Sequence, residues 1–512
     1  MQAIVTNEQM RKADEYTIET LNGNSLLLME RAGNALADTV QSFIDARRRI
    51  RVRVLCVCGG GNNGGDGFVC ARVLRERGVD AVAVCFADKY SKDCETVKEK
   101  YLLTGGEILT ETPKNGYDIV VDALLGTGFT GKLKADTEKA VQSINALKIA
   151  GAKIISADIP TGVNGDTGKV ETVAVKSDIT LCIGEVKAGV YLGDGIDYAG
   201  EVRRVDIGIE RIEKYAEIID RESVKLLLPK RKRNSHKGSF GKVAIVAGSE
   251  EYSGAAYLST ASCLRSGVGY TTLFLPEKLF PAFLLKCPEA LLSVINSGGR
   301  VAFNIENFQK LLSFDAVAYG SGLGISEDTY LGAKYLIENY TGKLVLDADA
   351  INSLARYGDS ERLFKDKKCD ILLTPHIKEF SRLTGESVED ILQKGLYAPQ
   401  DYAKKHGVAV LLKNAVSILS DGERICVNIT GNSGQAKGGS GDILTGLIAG
   451  LCAQGLSVFS AGKIGAYLCG LSAEIAVKEK GEYSLLPTDC IEVLPKAFLS
   501  AIAENSDEYG NG

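Results

Sequence analysis

The chain has 512 residues, 45% of them apolar and 24% charged, with a net charge of −5 at neutral pH. That length exceeds what one hydrophobic core usually supports, so two or more folded domains are expected, and the ordinary apolar fraction excludes a disordered chain. A mildly acidic protein has no overall attraction for nucleic acid or for an anionic membrane, so neither is an expected partner.

The thirteen cysteines stand mostly singly in apolar segments, as at Cys56 and Cys58, with no paired C-x-x-C knuckles. Such usage reads as reduced core thiols of a cytoplasmic protein, and not as a disulfide framework or a zinc site. The start, M-Q-A-I-V-T-N-E-Q-M-R-K, lacks the apolar run of a secretory signal. A homo-oligomer is expected.

Thr6 with Gln9 makes a capping-box pattern ahead of Met10, Ala13 and Tyr16, and L-L-L-M-E-R-A-G-N-A-L-A-D-T-V follows with helical spacing, so the chain should open on two helices. The apolar run Val52–Cys58 predicts a strand, which ends in G-G-G-N-N-G-G-D-G (Gly59–Gly67) and leads into a helix. Further strands are expected at Ala81–Phe86, Asp118–Leu124, Lys153–Ala157 and Ile179–Ile183, with a helix at Thr137–Ile149. This alternation predicts an α/β fold, a parallel-rich sheet covered by helices on both faces.

The charged stretch Glu210–His236 places a domain boundary near residue 220, separating 1–220 from 221–512. Its run Lys230–Arg233 reads as an exposed linker, given the acidic whole. A second α/β series has strands predicted at Lys242–Gly248, Tyr270–Leu275, Ala316–Gly320, Leu344–Asp347, Ile371–Thr374 and Val408–Lys413. The motifs of the two halves differ, which indicates a fusion and not a duplication. Ile443–Phe459 is uncharged but glycine-rich and shorter than the ~20 residues of a membrane span, so it is expected to form paired buried helices.

Two glycine-rich loops could cradle phosphates. Gly59–Gly67 follows a strand and opens a helix, with Asn62, Asn63 and Asp66 as polar groups; it is not G-x-G-x-x-G, so the dehydrogenase fingerprint is missing. T-G-N-S-G-Q-A-K-G-G-S-G-D-I-L-T-G (Thr430–Gly446) ends with Asp442 at the first turn of a helix expected over Ile443–Gly450, where helix N–H groups favour an anion. A carboxylate there can act as a general base on a hydroxyl approached by phosphate, or can simply cap the helix. In the first half, V-V-D-A-L-L-G-T-G-F-T-G-K (Val120–Lys132) and S-A-D-I-P-T-G-V-N-G-D-T-G (Ser156–Gly168) end strands with polar groups, so Asp122, the Gly126–Lys132 loop, Asp158 and Thr161 should converge at the carboxyl edge of the sheet.

The three first-half motifs, together with L-L-M-E-R-A-G near the start, resemble the NAD(P)H-hydrate epimerase domain, a Rossmann-like three-layer fold. The resemblance implies that Asn62, Asn63, Gly64, Gly65 and Asp66, then Gly126, Thr127, Gly128, Phe129, Thr130, Gly131 and Lys132, and also Asp158, contact a hydrated dinucleotide. It makes Asp158 the proton-transfer residue and gives a potassium ion the oxygens of Asn63, Asp122 and Thr161. In the second half, H-K-G-S-F-G-K, S-G-A-A, G-S-G-L-G, D-A-D-A-I-N, T-P-H-I-K-E-F, L-L-K-N-A-V-S and G-G-S-G-D follow in an order that resembles the ADP-dependent NAD(P)H-hydrate dehydratase, a ribokinase-like α/β domain. By resemblance Lys413, Asn414, Ala415, Val416, Ser417 and Gly441 bind ADP, while Ala255, Gly322, His376 and Asp442 line the hydrated-nicotinamide site.

The implied chemistry is epimerisation of the R and S hydrates, then dehydration of the S hydrate to NAD(P)H with AMP and phosphate as by-products; Mg2+ suits the phosphate chemistry. Ser433 stands where the family loop more often carries proline, and Lys437 where a small or hydroxyl residue is common, which bears on loop rigidity and offers a further phosphate contact. The competing reading is a ribokinase-like small-molecule (vitamin) kinase with a ligand-binding or scaffold domain in front.

Overall fold

The computed structural model describes residues 2–47, 51–210, 215–295, 299–358 and 360–503, so part of the charged boundary stretch, 211–214, lies outside the described residues. The chain divides into two compact units, Gln2–Ala216 and Glu217–Gly512.

In the first unit the capping box forms as expected: the Gln9 N–H donates to Thr6 Oγ1 and the Thr6 N–H to Gln9 Oε1, starting helix Asn7–Thr20. The main sheet has seven strands in the spatial order Ile108–Leu109, Asp80–Cys85, Arg53–Cys58, Ile119–Ala123, Lys153–Ala157, Ile179–Ile183 and Glu201–Val205, all pairs parallel. Along Arg53–Cys58 the side chains alternate between two cores. Val54, Cys56 and Cys58 pack with Leu36, Val69 and Leu74, whereas Leu55 and Val57 pack with Val141, Ile144 and Leu147. That is why the run is apolar without alternation: both faces are covered by helices. The strand order reverses between Arg53–Cys58 and Ile119–Ala123, the crevice where ligands of open α/β sheets bind. A separate parallel pair joins Ala3–Val5 to Val186–Lys187.

The second unit orders its strands Leu291–Val294, Tyr270–Leu275, Lys242–Val246, Ala316–Tyr319, Lys343–Leu346, Asp370–Leu373 and Ala409–Leu412, all parallel. An antiparallel hairpin, Ser417–Ser420 and Ile425–Asn428, extends it, and Ala216–Ile218 pairs parallel beyond. Helices again cover both faces, with Ile245 against Leu447 and Ile464 on one side and Val246 against Phe308 and Leu336 on the other.

The apolar stretch Ile443–Phe459 resolves into helix Ser440–Ala453 and the start of helix Val458–Ser484, both largely buried. Among the described residues no helix is long and apolar enough to cross a membrane. Helix Ser440–Ala453 lies against helix Ser253–Arg265 so closely that a Cβ at Gly446 would stand 1.9 Å from the Ser259 carbonyl oxygen; only glycine permits this approach.

Candidate active sites

A cavity of 1140 Å³ opens at the strand switch of the first unit. Its wall includes Asn62, Asn63, Asp66, Gly126–Thr130, Lys132 and Asp158, whereas Gly64, Gly65 and Gly131 lie off it. Helix Asn62–Glu76 starts at the cavity after Gly61, so its free N–H groups face a space lined by the Gly126 loop, a suitable seat for phosphate. Asp158 follows strand Lys153–Ala157 with φ of 66°, a conformation that non-glycine residues adopt at a cost and that often marks a functional position. Its carboxylate accepts hydrogen bonds from the Ile183 N–H (3.1 Å) and from the Lys187 ammonium, which also donates to the Ile183 carbonyl at 2.7 Å. Lys187 is 1% exposed.

Two further carboxylates share this wall. Burial, and then the charges of Asp158 and Asp14, push Asp66 far above the usual carboxylate range. Burial pushes Asp14 up to about 6, opposed by Lys187. Neither Asp14 nor Lys187 is among the residues expected from sequence. Lys187 had a signal, a lone cation inside the apolar stretch I-T-L-C-I-G-E-V-K-A-G-V. Asp14 had none, because it reaches the site through the pairing of Ala3–Val5 with Val186–Lys187, about 180 residues away in sequence.

Asp122 and Thr161 sit just behind the cavity. Asp122 is fully buried and accepts from the Thr161 hydroxyl (2.6 Å), the Thr161 N–H (2.9 Å), the Ser156 hydroxyl (2.8 Å) and the Leu124 N–H (3.4 Å). Burial raises its pKa against the pull of those four donors. Thr161 Oγ1 in turn accepts from the Leu125 N–H, and the neighbouring Gly126 lies against the Asn63 side chain. The Asn63 amide nitrogen is buried without a hydrogen-bond partner among the described residues. A half-turn of that amide exchanges its nitrogen for its oxygen, so Asn63, Asp122 and Thr161 can each offer oxygen, the donor type that suits a hard monovalent cation.

The second site gathers at the carboxyl ends of the parallel strands. Asp347, 1% exposed, accepts from the Lys413 ammonium (2.8 Å), Thr374 Oγ1 (2.9 Å) and Thr445 Oγ1 (2.8 Å). It is followed by Ala348 with φ of 47°. Burial draws the Lys413 pKa down, but Asp347 and Glu379 outweigh it and the net shift is upward. Asp442 lies in the first turn of helix Ser440–Ala453, which begins three residues earlier than the sequence suggests. Its pKa is pushed up to about 6, by burial first and then by Asp347, with Ser321 and Lys413 pulling the other way. A Cβ on Gly441 would stand 3.1 Å from Lys413 Nζ, so the glycine lets the loop close on the ammonium.

The remaining expected residues surround this group. Gly322 lies next to Ser321, and a Cβ there would be 2.8 Å from that of Ala255. His376 pairs with Lys413 as an isolated parallel bridge. Its Nδ1 accepts the N–H groups of Lys378 and Glu379, while the His376 N–H donates to Glu379 Oε2, so the ring caps helix Ile377–Thr384. Burial, then Lys413 and Arg382, lower its pKa; the neutral ring therefore carries its proton on Nε2. Val416 is buried, and Asn414 and Ala415 are exposed beyond Lys413. Lys437 does not point at a phosphate seat: its ammonium donates to the carbonyls of Tyr483 (2.8 Å) and Leu485 (2.6 Å). Ser433 Oγ donates to Glu482, so both departures from the family loop anchor it to the end of helix Val458–Ser484. Asp347, within D-A-D-A-I-N, and Glu379 complete the site; the sequence motifs contain both without indicating that both act on Lys413.

Two α/β units, each with an aspartate–lysine pair and an acidic group beside a glycine-rich helix start, define a two-site enzyme for phosphate-bearing substrates. Residues 243–496 match the family model described as NAD(P)H-hydrate dehydratase, and residues 25–189 match that of the YjeF-related protein N-terminus. The bifunctional NAD(P)H-hydrate repair enzyme of Thermofilum pendens is 35% identical, covering 97% of this chain and 96% of its own; that of Dictyoglomus turgidum is 32% identical, covering 96% and 98%. A crystal structure of the ADP/ATP-dependent NAD(P)H-hydrate dehydratase from Bacillus subtilis, co-crystallised with ATP/Mg2+, is 28% identical over 56% of this chain and 99% of that one, with a TM-score of 0.49. The chain belongs to the family of bifunctional NAD(P)H-hydrate repair enzymes.

Proposed function

We propose that the chain restores hydrated NADH and NADPH in two steps, interconverting the R and S hydrates in the first unit and dehydrating the S hydrate at the expense of ADP in the second. The observation that carries this reading is Asp442, a half-buried acid with its pKa raised to about 6, set in the first turn of a helix within the field of the Lys413 ammonium. A group so tuned can take a proton near neutral pH.

In the second unit Asp442 accepts the proton of the C6 hydroxyl as its oxygen attacks the β-phosphate of ADP. Lys413–Ser417 and Gly441 hold the nucleotide, and the helix N–H groups with Lys413 offset charge on the transferring phosphoryl group. The hydroxyl, a poor leaving group, becomes phosphate; its elimination leaves NAD(P)H, AMP and phosphate. Ala255 and Gly322 allow close approach of the nicotinamide ring, and His376 offers its Nε2–H to a carbonyl. Mg2+ is the expected companion of the ADP phosphates.

In the first unit the wall from Asn62 to Asp66 and the Gly126–Lys132 loop receive the phosphates, and Asp158 serves proton transfer. Asn63, Asp122 and Thr161 would hold a potassium ion, which would supply positive charge beside the Gly126 loop. The test is to supply separated R and S hydrates with ADP and follow the absorbance of reduced nicotinamide. Both hydrates should be restored, the R form through the S form. A stable phosphorylated product from ATP, with no reduced nicotinamide, would support the small-molecule kinase reading instead.

A further inference from the structure

The first-unit cavity holds more ionisable chemistry than binding a dinucleotide requires. Three carboxylates, Asp14, Asp66 and Asp158, and one buried ammonium, Lys187, share one wall. Only Asp158 has the ammonium as a hydrogen-bonded partner. The Asp66 carboxyl has no hydrogen bond or ion pair among the described residues and borders the cavity from the second turn of helix Asn62–Glu76. Two carboxyl groups in one cavity, one ion-paired and the other without a cation, fit the arrangement in which environment separates an acid from a base.

Resting on the epimerase reading, we infer that Asp66 is the acid and Asp158 the base of the epimerisation, which proceeds by breaking and remaking the C6–O bond, with Lys187 as the positioning residue that holds the Asp158 carboxylate. The substrate chemistry calls for such a pair. In the hydrate, C6 carries both the hydroxyl and the ring nitrogen N1. Asp66 gives its proton to the hydroxyl oxygen; the C6–O electron pair leaves with a water molecule while the N1 lone pair forms N1=C6. C6 is then planar. A water adds to its other face, giving its proton to Asp158, and C6 is inverted. One water leaves, one enters, and the proton passed from Asp66 to Asp158 returns through cavity water. No redox partner is needed. In the reverse direction the two groups exchange roles.

The charge pattern agrees with this division. Burial and the neighbouring carboxylates favour the protonated form of Asp66. Among the charges acting on Asp66, Asp158 is the strongest.

The experiment uses the full chain with the R hydrate of NADH and no ADP, following formation of the S hydrate by chromatography over the spontaneous background. Asp66→Asn and Asp158→Asn should each lower kcat by about 10²–10⁴-fold with KM changed less than about threefold. Lys187→Met should lower kcat with KM held. Wild-type turnover in ¹⁸O-labelled water needs no variant and should place one labelled oxygen on C6 per inversion. Retention of the original oxygen, or an Asp66→Asn protein as active as the parent, overturns the inference. If the wild-type chain leaves the R hydrate unchanged, it is the epimerase reading that fails.

Discussion

Each unit sets a lysine against an aspartate that ends a parallel strand, Lys187 with Asp158 and Lys413 with Asp347, but the pair stands differently toward the group that moves a proton. In the first unit the paired aspartate is itself the proposed base. In the second, Asp347 is saturated by Lys413, Thr374 and Thr445, and the proposed base is Asp442, an acid that burial and Asp347 push up to about 6. A base for a water molecule that adds to an already activated ring carbon can stand beside a cation. A base that must lose its proton close to an incoming diphosphate works in a site where the cation is shared with the nucleotide, and a higher pKa makes it the stronger acceptor.

Exchanging the carboxylates is the strongest way to break the comparison. Asp442→Asn should lower S-hydrate dehydration about 10²–10⁴-fold while R and S interconversion continues, and Asp158→Ala should abolish consumption of the R hydrate while sparing the S hydrate. If either variant disables both reactions equally in a folded chain, the division of labour is wrong. Lys413→Met leaves Asp347 buried without its cation and should cost the second unit about 3 kcal/mol in denaturant unfolding, with nucleotide binding weakened as well. An unchanged unfolding midpoint would mean that the pair does not hold the site.

A titration sharpens the contrast. Asp442 must be ionised to act, so kcat/KM for the S hydrate should fall about tenfold per pH unit below about 6 and level off above it. Because the fold raises this acid above its unfolded value, the native state binds the extra proton and gains stability as pH falls through the same window. Activity and this contribution to stability should therefore move in opposite directions.

Asp122→Asn removes the charge from four donors and should cost roughly 1–3 kcal/mol of first-unit stability. Under the potassium reading it should also abolish any dependence of epimerisation on that ion, which a titration with potassium and sodium salts measures. The smallest effect is His376→Ala, which removes a helix cap worth about 1 kcal/mol and should raise KM for the S hydrate more than it lowers kcat.

Much of this architecture was legible in the chain. Strands Lys153–Ala157, Ile179–Ile183 and Tyr270–Leu275 appear as the apolar runs indicate, because strands buried on both faces cannot be mistaken for surface elements. The edge strands Glu201–Val205 and Leu291–Val294 were not foreseen; with one flank unpaired and side chains partly exposed, they carry no comparable run. Glycine loops mark both sites, since close backbone approach leaves a visible trace in composition. Ion pairs leave none. Asp158 with Lys187, and Asp347 with Lys413, are joined by strand order, and nothing near either residue in sequence announces its partner. Lys437 teaches the converse: a cation in a phosphate-like loop can serve as an anchor to backbone carbonyls.

The contact at Gly446 gives the second site a mechanical property. Asp442 lies four residues up the same helix, about 6 Å along its axis, from the point where that helix touches its neighbour with no side chain between them. A single methyl group there acts as a shim under a lever and tips the carboxylate away from its target without altering any residue that meets the substrate. Searches for substitutions that retune this activity should therefore begin in the packed interior, where the aim of the carboxylate is set.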